Sequence, residues 1–570
     1  MKNFLDGGEA MVAALRALDV DYIFSSPGSD WGALWEAMAR QKVNNAPGPK
    51  YVSCGHETLA VNLAIGNTYL TGRMQAVVLH TGVGLLQGSI GIDAANKLNL
   101  PMLVFSSEAQ TYGEKPGFDP GQQWIATLNN VGGPQRLVEP IVKWASSAPS
   151  VDNLFEMIVR AGELAQQTPA GPVYINVPIE TTLQEWVPPQ RLRKAIKVKP
   201  PQAPVSEIER VAKLLAAAEC PVIVTEGVGR SVEGYKNLVE LAELLAIPVV
   251  ESWPAEVSNF PKDHPLHHGF TLQPFQDIAD VVLVVRSRVP WYPGRNRPAK
   301  ATVVLIDEIP VHPNMVYQNI GPDIVLEGDV VHSLKELSNA VRAAKPDAGK
   351  VKQRRQRAEA GHEKMVAQFR EAEGQPQGKN GLSAKWVCRT LSETLPEDTI
   401  YVDETITYRS ATLPYLKLRR PQTSYRIGGG LGQGFGTALG VKVGAPDKIV
   451  SLVVGDGAFL YNPLTQCLAL SKHENLPILA VVLNNSGYDS MAKEHRAWYP
   501  DGIAAANNIF YGRTITDFDY AQLAAPFGAY GRKVEKAEEL KPALEEAVKA
   551  VKSGRTAILN IICDPVPNAR

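Results

Sequence analysis

Two polar clusters in the last third of the chain combine residue types that can bind a hard cation. Gly455-Asp456-Gly457 follows the apolar run IVSLVV, and twenty-six residues later Asn484-Asn485 follows the run ILAVVL. Both runs have the composition of buried parallel strands, so both clusters are expected at the carboxyl edge of one sheet, where open α/β sheets bind ligands. A carboxylate and an amide oxygen suit Mg²⁺, and the glycines let phosphate groups approach the backbone. The pattern predicts a diphosphate held through Mg²⁺; two unrelated turns are the alternative.

The spacing of the two clusters resembles the cofactor signature of thiamine-diphosphate-dependent enzymes, a GDG followed by NN. The resemblance implies that thiamine diphosphate is the cofactor and that Mg²⁺ is bound by Asp456, Asn485 and the carbonyl of Gly487. It also implies cofactor contacts from Gly455, Gly457, Ala458 and Tyr488. Relatives commonly carry Ser where this chain has Ala458, so a hydroxyl contact to the diphosphate is expected to be absent.

A glycine-rich segment, Arg426–Gly432, precedes these clusters. In the same enzymes this region presses a large apolar side chain under the cofactor. The resemblance assigns that wedge to Leu431, and it assigns the carbonyl of Gly429 to the aminopyrimidine ring. An ordinary glycine-rich turn is the alternative interpretation.

The first third of the chain supplies the predicted catalytic residues. Glu57 begins an apolar helical pattern after YVSC, and a carboxylate is needed there to assist proton removal from the cofactor. The segment resembles the "HE" site of the acetolactate synthase and benzoylformate decarboxylase families, although a helix dipole alone also favours an N-terminal Glu. VLHTGVG resembles benzoylformate decarboxylase, which makes His80 a proton donor and acceptor. By the same resemblance, Ser29 in the PGS loop faces the substrate carboxylate.

A weaker set of residues completes the predicted pocket. Gln122 and Gln123 resemble a glutamine near the cofactor in acetolactate-type enzymes. Pro293 stands where benzoylformate decarboxylase has a second catalytic histidine, which argues against benzoylformate as substrate and leaves neighbouring aromatic residues as pocket walls. The predicted walls and lid residues are Trp291, Tyr292, His495, Arg496 and Trp498, while the trio His264, His267 and His268 is not expected to bind metal.

Strand-like runs alternate with helical patterns three times, which predicts an α/β fold with three doubly wound parallel-sheet domains. The boundaries are 1–186 for a pyrimidine-binding domain, 204–345 for a middle domain and 380–570 for a diphosphate-binding domain, with linkers at 187–203 and 346–379. The predicted strands are Tyr22–Phe24, Gln75–Leu79, Pro101–Phe105, Pro172–Val177, Pro221–Val224, Pro248–Val250, Val281–Val285, Thr302–Ile306, Thr399–Val402, Ile449–Val454, Ile478–Leu483 and Ala557–Ile561.

Composition narrows the class of partner. Lys and Arg number 58 against 59 for Asp and Glu, so no global field favours nucleic acid or an anionic membrane, and a small-molecule substrate is expected. No apolar run is long enough to span a bilayer. The five cysteines are widely spaced and no secretory signal is recognised, so we expect the protein to reside in a reducing cytoplasm. The resemblance implies a homodimer or homotetramer with active sites between subunits, Glu57 coming from one chain and Asp456 from the other.

The reaction implied by the resemblance is non-oxidative decarboxylation of a 2-oxo acid through an enamine that His80 protonates. Two alternatives share the first steps: acetolactate-synthase-like acyl transfer to a second carbonyl, and cleavage of a diketone or acyloin. An alternative of another class is a non-catalytic protein that only binds the cofactor. Glu57 argues against it, because binding alone does not require that carboxylate.

Overall fold

The computed structural model describes residues 4–114, 119–197 and 199–565. These residues form seventeen β-strands and eighteen α-helices. The strands are β1 (Tyr22–Ser26), β2 (Lys50–Ser53), β3 (Gln75–Leu79), β4 (Met102–Ser106), β5 (Trp144–Ser147), β6 (Pro172–Asn176), β7 (Pro221–Thr225), β8 (Val249–Glu251), β9 (Val281–Val285), β10 (Thr302–Asp307), β11 (Ile324–Glu327), β12 (Ile400–Glu404), β13 (Ser424–Arg426), β14 (Val450–Gly455), β15 (Leu479–Asn484), β16 (Tyr530–Val534) and β17 (Ala557–Ile562). The helices are α1 (Gly7–Ala17), α2 (Gly32–Val43), α3 (Glu57–Thr71), α4 (Thr81–Lys97), α5 (Leu154–Gln166), α6 (Ile179–Thr182), α7 (Val205–Ala217), α8 (Val232–Leu245), α9 (Val330–Ala344), α10 (Ala348–Glu373), α11 (Ala384–Thr394), α12 (Arg409–Tyr415), α13 (Gly434–Gly444), α14 (Asp456–Tyr461), α15 (Leu464–His473), α16 (Asp489–Trp498), α17 (Ile503–Asn507) and α18 (Ala537–Lys552).

The strands form three parallel sheets, which confirms the predicted α/β fold with three doubly wound sheets. The first sheet has the order β2-β1-β3-β4-β6-β5, the second β11-β10-β9-β7-β8, and the third β13-β12-β14-β15-β17-β16. In each sheet the strand order reverses near the middle, and the loops that leave the carboxyl ends on either side of that point diverge to form a crevice.

Each of the twelve predicted strands overlaps an observed one, but β5, β11, β13 and β16 were not predicted. All four lie at an edge of their sheet, as does β2, whose YVSC segment has a strand-like composition. The side chains of β5 are all half-buried, and those of β11 alternate between buried and exposed. An edge strand has a neighbour on one side only, so its sequence need not be a continuous apolar run.

The chain folds into two compact units. The first comprises the described residues of 1–199 together with 428–446 and 462–474. In this unit α3 and α13 lie side by side at close range. A Cβ at Gly66 would come within 2.0 Å of the Thr437 carbonyl oxygen, and one at Gly440 within 2.1 Å of the Leu63 carbonyl oxygen. Glycine at both positions therefore lets the two helix backbones touch.

The second unit contains the second and third sheets and comprises 200–427, 447–461 and the described residues of 475–570. Arg409 donates a hydrogen bond to the Ala255 carbonyl at 2.7 Å, and the Arg426 backbone N–H donates to the Glu256 carbonyl at 2.7 Å. These bonds join the two sheets. The segment predicted as a charged linker forms α10, whose buried Arg354 donates to the Leu245 carbonyl at 3.3 Å. The domain and linker boundaries remain predictions.

Two further properties follow from the described part of the chain. Its helices include none that is both long and apolar enough to cross a membrane. None of the five cysteines, all of which are described, forms a disulfide, and four of them are buried.

Candidate active site

In the first unit, the carboxyl edge of the first sheet brings Glu57 and His80 close together. Glu57 is the first residue of α3, and His80 lies between β3 and α4. A Cβ at Gly84 would lie 3.2 Å from Glu57 Oε1 and 3.3 Å from His80 Cβ. Two candidate catalytic side chains therefore flank one glycine position on α4.

The start of α3 is held by its own neighbours. The imidazole of His56 caps the helix by accepting a hydrogen bond from the Thr58 backbone N–H at 3.1 Å. The Thr58 hydroxyl donates to the Gln87 carbonyl at 2.7 Å, which ties α3 to α4. The positive end of the helix dipole also favours a carboxylate at Glu57. Local capping thus places this carboxylate beside His80.

A carboxylate that sequence reasoning did not identify faces His80. Asp30 Oδ1 lies 2.7 Å from His80 Nδ1, and the hydrogen bond between them raises the pKa of His80 above its usual value, against the opposing effect of burial. Ser29 precedes Asp30 in a 3-10 turn and is exposed. The only sequence signal was the acidic residue after the PGS loop.

The two glutamines differ in their surroundings. Gln122 is exposed, whereas the buried Gln123 accepts a hydrogen bond from the Ala109 backbone N–H at 2.7 Å. Gln123 therefore organises the loop after β4, and Gln122 is the one whose side chain reaches solvent.

The glycine-rich segment of the first unit carries Gly429 and Leu431. Gly429 has φ +89°, and a Cβ there would lie 2.9 Å from the Ala94 Cβ on α4. Leu431 is half-buried. The amide of the buried Gln433 donates to the Gly430 carbonyl at 3.2 Å. The glycine-rich segment is therefore a loop with a defined conformation that packs against α4.

In the second unit, β14 and β15 are adjacent, so the two polar clusters meet at the carboxyl edge of the third sheet. Asp456 accepts hydrogen bonds from the backbone N–H groups of Gly457 at 2.9 Å and Gly487 at 3.1 Å. Asn485 Oδ1 accepts from the same Gly487 N–H at 3.2 Å. The three residues predicted to bind Mg²⁺ therefore form one connected cluster.

The amide of Asn485 is oriented by a residue outside the predicted set. Its Nδ2 donates to Asp489 Oδ2 at 2.7 Å, and Arg513 Nε donates to Asp489 Oδ1 at 2.9 Å. Because the amide nitrogen is used in this way, the amide oxygen remains on the side of Gly487 and Asp456. Only the tertiary structure identifies Asp489 as the residue that sets this orientation.

The chemistry of this cluster fits a diphosphate bound through a divalent cation. Burial raises the pKa of Asp456 to about 6, although backbone N–H groups oppose the shift, so a nearby cation would favour its ionised form. A Cβ at Gly455 would meet no heavy atom within 4 Å, whereas one at Gly457 would lie 2.3 Å from Tyr488 Cε1. The edge thus has an open cradle beside Gly455 and an aromatic ring over Gly457.

The donor set also fits Mg²⁺ better than a softer metal. No group of three or more His, Cys, Asp or Glu side chains suited to a metal occurs among the described residues. A site with one carboxylate, one amide oxygen and one carbonyl leaves positions for phosphate oxygens and water, which is the usual arrangement for Mg²⁺.

The remaining candidates differ in their contacts. Trp291 is buried in the core of the second sheet and donates to the Asn319 carbonyl at 3.3 Å, so packing accounts for its position, whereas Tyr292 is exposed. His495 packs edge-on against Tyr499 and Phe510. The other predicted lid residues, Arg496 and Trp498, lie on the same helix α16, where Arg496 stacks on the Phe510 ring and Trp498 is exposed.

The three histidines of the second unit that are close in sequence, His264, His267 and His268, each contact a different side chain. His264 Nε2 lies 3.2 Å from Glu243 Oε1, and His267 Nε2 lies 3.3 Å from the buried Glu251 Oε1. His268 packs edge-on against Phe275, and burial lowers its pKa to about 4.

Three family models match the chain in succession. They describe thiamine pyrophosphate enzymes: the N-terminal TPP binding domain over residues 5–131, the central domain over 208–337, and the C-terminal TPP binding domain over 407–561. The third match contains the Asp456 cluster, and the first contains Glu57 and His80.

Relatives and solved structures agree with these matches. The large subunit of acetolactate synthase isozyme 3 from Escherichia coli is 24% identical over 578 residues, which cover 99% of this chain and 95% of the relative. Sulfoacetaldehyde acetyltransferase from Castellaniella defragrans is 26% identical over 599 residues, covering 97% of this chain and 92% of that relative. The thiamine diphosphate-dependent 4-hydroxybenzoylformate decarboxylase of Rhodococcus jostii RHA1 shares the fold, with a TM-score of 0.79, 21% identity, and coverage of 99% of this chain and 100% of that one. The chain therefore belongs to the thiamine-diphosphate-dependent enzyme superfamily, and the resemblance of its motifs to that superfamily is confirmed.

Proposed function

We propose that this enzyme uses thiamine diphosphate and Mg²⁺ to decarboxylate a 2-oxo acid without oxidation, releasing an aldehyde. The observation that carries the proposal is the side-by-side placement of Glu57 and His80 around Gly84. A carboxylate serves the cofactor in all of these reactions, whereas an imidazole next to it supplies the proton that turns a decarboxylated product into an aldehyde.

The proposed function assigns residues of the chain to binding of the cofactor and of Mg²⁺. When bound, thiamine diphosphate supplies a nucleophilic carbon and an electron sink for the carbonyl substrate. Asp456, Asn485 and the Gly487 carbonyl would hold Mg²⁺, with the diphosphate in the cradle beside Gly455. Further cofactor contacts are assigned to Gly429, Leu431, Gly457, Ala458 and Tyr488.

The acid–base steps fall to the first unit. Glu57 would exchange a proton with the aminopyrimidine ring, and Ser29 would face the carboxylate of the substrate. After CO₂ has left, His80 Nε2 would donate a proton to the former carbonyl carbon. Gln122, Tyr292 and His495 remain candidates for contacts with the rest of the substrate.

Acyl transfer to a second carbonyl is the second candidate function. It is supported by two relatives that match nearly the whole chain: one is named acetolactate synthase, and the name of the other, sulfoacetaldehyde acetyltransferase, indicates acyl transfer in general. The two reactions differ only in whether a proton or a second carbonyl takes up the activated group. His80 is the residue that favours the proton.

The decisive measurement is a panel of 2-oxo acids incubated with the enzyme, thiamine diphosphate and Mg²⁺, with CO₂ and organic products quantified together. Each panel member is tested with and without a second carbonyl compound as acceptor. We expect CO₂ and aldehyde in equal amounts. CO₂ accompanied by a larger hydroxyketone or another acyl product would instead establish acyl transfer, and cleavage of acyloins without any turnover of 2-oxo acids would overturn the decarboxylase assignment.

Replacing Glu57 separates an enzyme from a protein that only binds the cofactor. Glu57→Gln is expected to lower turnover by about 10²- to 10⁴-fold, the usual contribution of an acid–base group, with cofactor binding retained. Glu36→Gln, on α2 and with 69% of its side chain exposed, is the matched control. Undiminished turnover in Glu57→Gln would exclude the role assigned to this carboxylate.

We also propose that the enzyme is a cytoplasmic homodimer or homotetramer with active sites between subunits. Val83, Leu86 and Ile90 are exposed apolar residues spaced along α4, the helix that follows His80, and such a stripe suits a second copy. Mixing Glu57→Gln subunits with Asp456→Asn subunits should restore activity that neither variant has alone. Lack of restoration after subunit exchange has been verified would contradict shared active sites.

A further inference from the structure

One hydrogen-bonded pair of side chains in the first unit, Asp30 and His80, bears directly on how His80 acts. Asp30 Oδ1 lies 2.7 Å from His80 Nδ1; the Asp30 side chain has no exposed surface, whereas 25% of the His80 side chain is exposed. When the Asp30 carboxylate is ionised it can only accept hydrogen bonds, and the proton between the two atoms then belongs to Nδ1. The imidazole thus has one nitrogen held inside the protein and one ring edge turned outward.

Neighbouring residues hold this pair in place. Asp30 lies in the 3-10 turn Ser29–Trp31, and the indole Nε1 of Trp31 donates to the Leu79 carbonyl at 2.9 Å, directly before His80. A Cβ at Gly28 would lie 1.8 Å from His80 Nδ1 and 2.5 Å from Asp30 Oδ1. Only glycine therefore leaves room for the pair, which gives the PGS loop a role beyond presenting Ser29.

The outward nitrogen of His80, Nε2, has no hydrogen-bond partner among the residues that the structure describes. With these residues the ring makes one hydrogen bond, between Nδ1 and Asp30. We propose that Asp30 is a positioning residue that keeps the proton of neutral His80 on Nδ1, so that Nε2 alone exchanges a proton with the substrate. The role rests on the proposed function, in which His80 is the proton donor.

The electrostatic surroundings agree with this assignment. The charged groups that act on His80 are Asp30, from the 3-10 turn, and Glu57, from α3, and both raise the pKa of His80. The hydrogen bond that Asp30 accepts from His80 has the largest effect on this pKa and exceeds the opposing effect of burial. Asp30 therefore also stabilises the imidazolium that must exist before proton donation.

The second oxygen of Asp30 argues against a purely structural pair. Asp30 Oδ2 is buried and has no hydrogen-bond partner among the described residues. A buried carboxylate oxygen without a partner is costly to stability, so an arrangement selected only for stability would satisfy both oxygens. Among the described residues, the hydrogen-bond partner of this buried carboxylate is His80.

The test is Asp30→Asn in the enzyme loaded with thiamine diphosphate and Mg²⁺, with labelled histidine followed by NMR and His80→Asn used to assign the signal. In the wild type we expect neutral His80 to carry its proton on Nδ1. In Asp30→Asn we expect a mixture of tautomers and a lower pKa of His80. We also expect kcat to fall by about 10- to 100-fold, the usual cost of losing an orienting partner, with KM and cofactor affinity little changed and the acidic part of the pH profile displaced.

Two matched controls accompany this variant. Asp93→Asn removes a carboxylate of α4 that pairs with Lys97 and should change none of these quantities. Gly28→Ala should displace the pair and reproduce the Asp30→Asn behaviour, whereas Gly32→Ala, where an added Cβ meets nothing within 4 Å, should not. The glycine variants keep the test valid if Asp30→Asn folds poorly.

The outcomes separate this proposal from the proposed function. An unchanged tautomer and pKa of His80 in Asp30→Asn would overturn the positioning role, whatever the activity. So would an altered tautomer with unchanged kcat and pH profile. Failure of the wild type to release CO₂ from any 2-oxo acid would refute the decarboxylase assignment instead, while the NMR comparison would still decide whether Asp30 controls the tautomer.

Discussion

The cation cluster of the second unit and the acid–base pair of the first unit are built in opposite ways. In the cation cluster, Asp456, Asn485 and Gly487 are joined mainly through the Gly487 backbone N–H, within two adjacent loops. In the acid–base pair, two side chains fifty residues apart in sequence meet directly. Backbone-built sites leave compact sequence motifs, whereas a pair of side chains from separate loops leaves none.

The two regions also differ in how their charges are balanced. Burial raises the pKa of Asp456 to about 6, because backbone N–H groups only partly replace water around its carboxylate. His80 has a raised pKa for the opposite reason, since Asp30 stabilises its charged form. The proposed Mg²⁺ would balance the charge of Asp456 from outside the protein, whereas Asp30 stabilises the charged form of His80 from within it.

The largest effect is expected on cofactor binding, from a substitution that disrupts the cation cluster. Asp456→Asn removes its only charged predicted ligand and should weaken Mg²⁺-dependent binding of thiamine diphosphate by at least about 100-fold, since even orienting partners of metal ligands contribute up to that amount. Calorimetric titration measures this, with Asp447→Asn on an exposed loop as control. The NMR titration of His80 should be unaltered, and unweakened binding would refute the assignment of Asp456.

A smaller effect is expected from filling the cradle without touching a charge. In Gly455→Ala the added methyl group meets no protein atom, so the melting temperature of the cofactor-free protein should change little. Binding of thiamine diphosphate should weaken by about tenfold, the size of one lost hydrogen bond. Both quantities are compared with Gly457→Ala, which crowds the Tyr488 ring and should lower the melting temperature as well. Full affinity in Gly455→Ala would place the diphosphate elsewhere.

The smallest effect concerns the pH dependence of stability. The pKa of His80 in the folded protein lies above its ordinary value of 6.5, so the pair stabilises the fold fully below that value, and the contribution is lost as pH rises through the folded pKa. The free energy of unfolding of the wild type minus that of His80→Asn should therefore be larger at low pH than at high pH. Urea unfolding across this range checks the sign, and the same comparison in an Asp30→Asn background should show no such trend. An advantage that grew with pH would contradict the charged pair.

The interiors of the sheets could be predicted better than their edges. Central strands such as β14 and β15 are buried on both faces and have continuous apolar sequences, so their positions were evident. Edge strands such as β5 and β16 are mostly half-buried and carry mixed side chains. Whether such a segment pairs with the sheet depends on the residues it packs against, and a local sequence pattern does not identify those residues.

Individual side chains show the same division. Trp291 resembles a pocket wall in sequence, yet it packs in the core of the second sheet. Gln123 and Gln122 are adjacent in sequence and differ completely in burial. Asp489 is identified as a partner of Asn485 only by the hydrogen bond between them in the structure. In each case the role depends on contacts with residues that sequence spacing does not specify.

The sequence by itself determined the cofactor family, the three parallel sheets and the meeting of Asp456 with Asn485 and Gly487 at one sheet edge, because these depend on strand composition and on short loops at strand ends. The partner of His80 was decided only by the tertiary structure. β1 lies beside β3 with Ser26 opposite Leu79, so the loop after one strand carries Asp30 to the residue that follows the other. The order of the strands depends on how the whole chain packs. The sequence alone therefore did not reveal the 2.7 Å contact between Asp30 and His80, which are fifty residues apart.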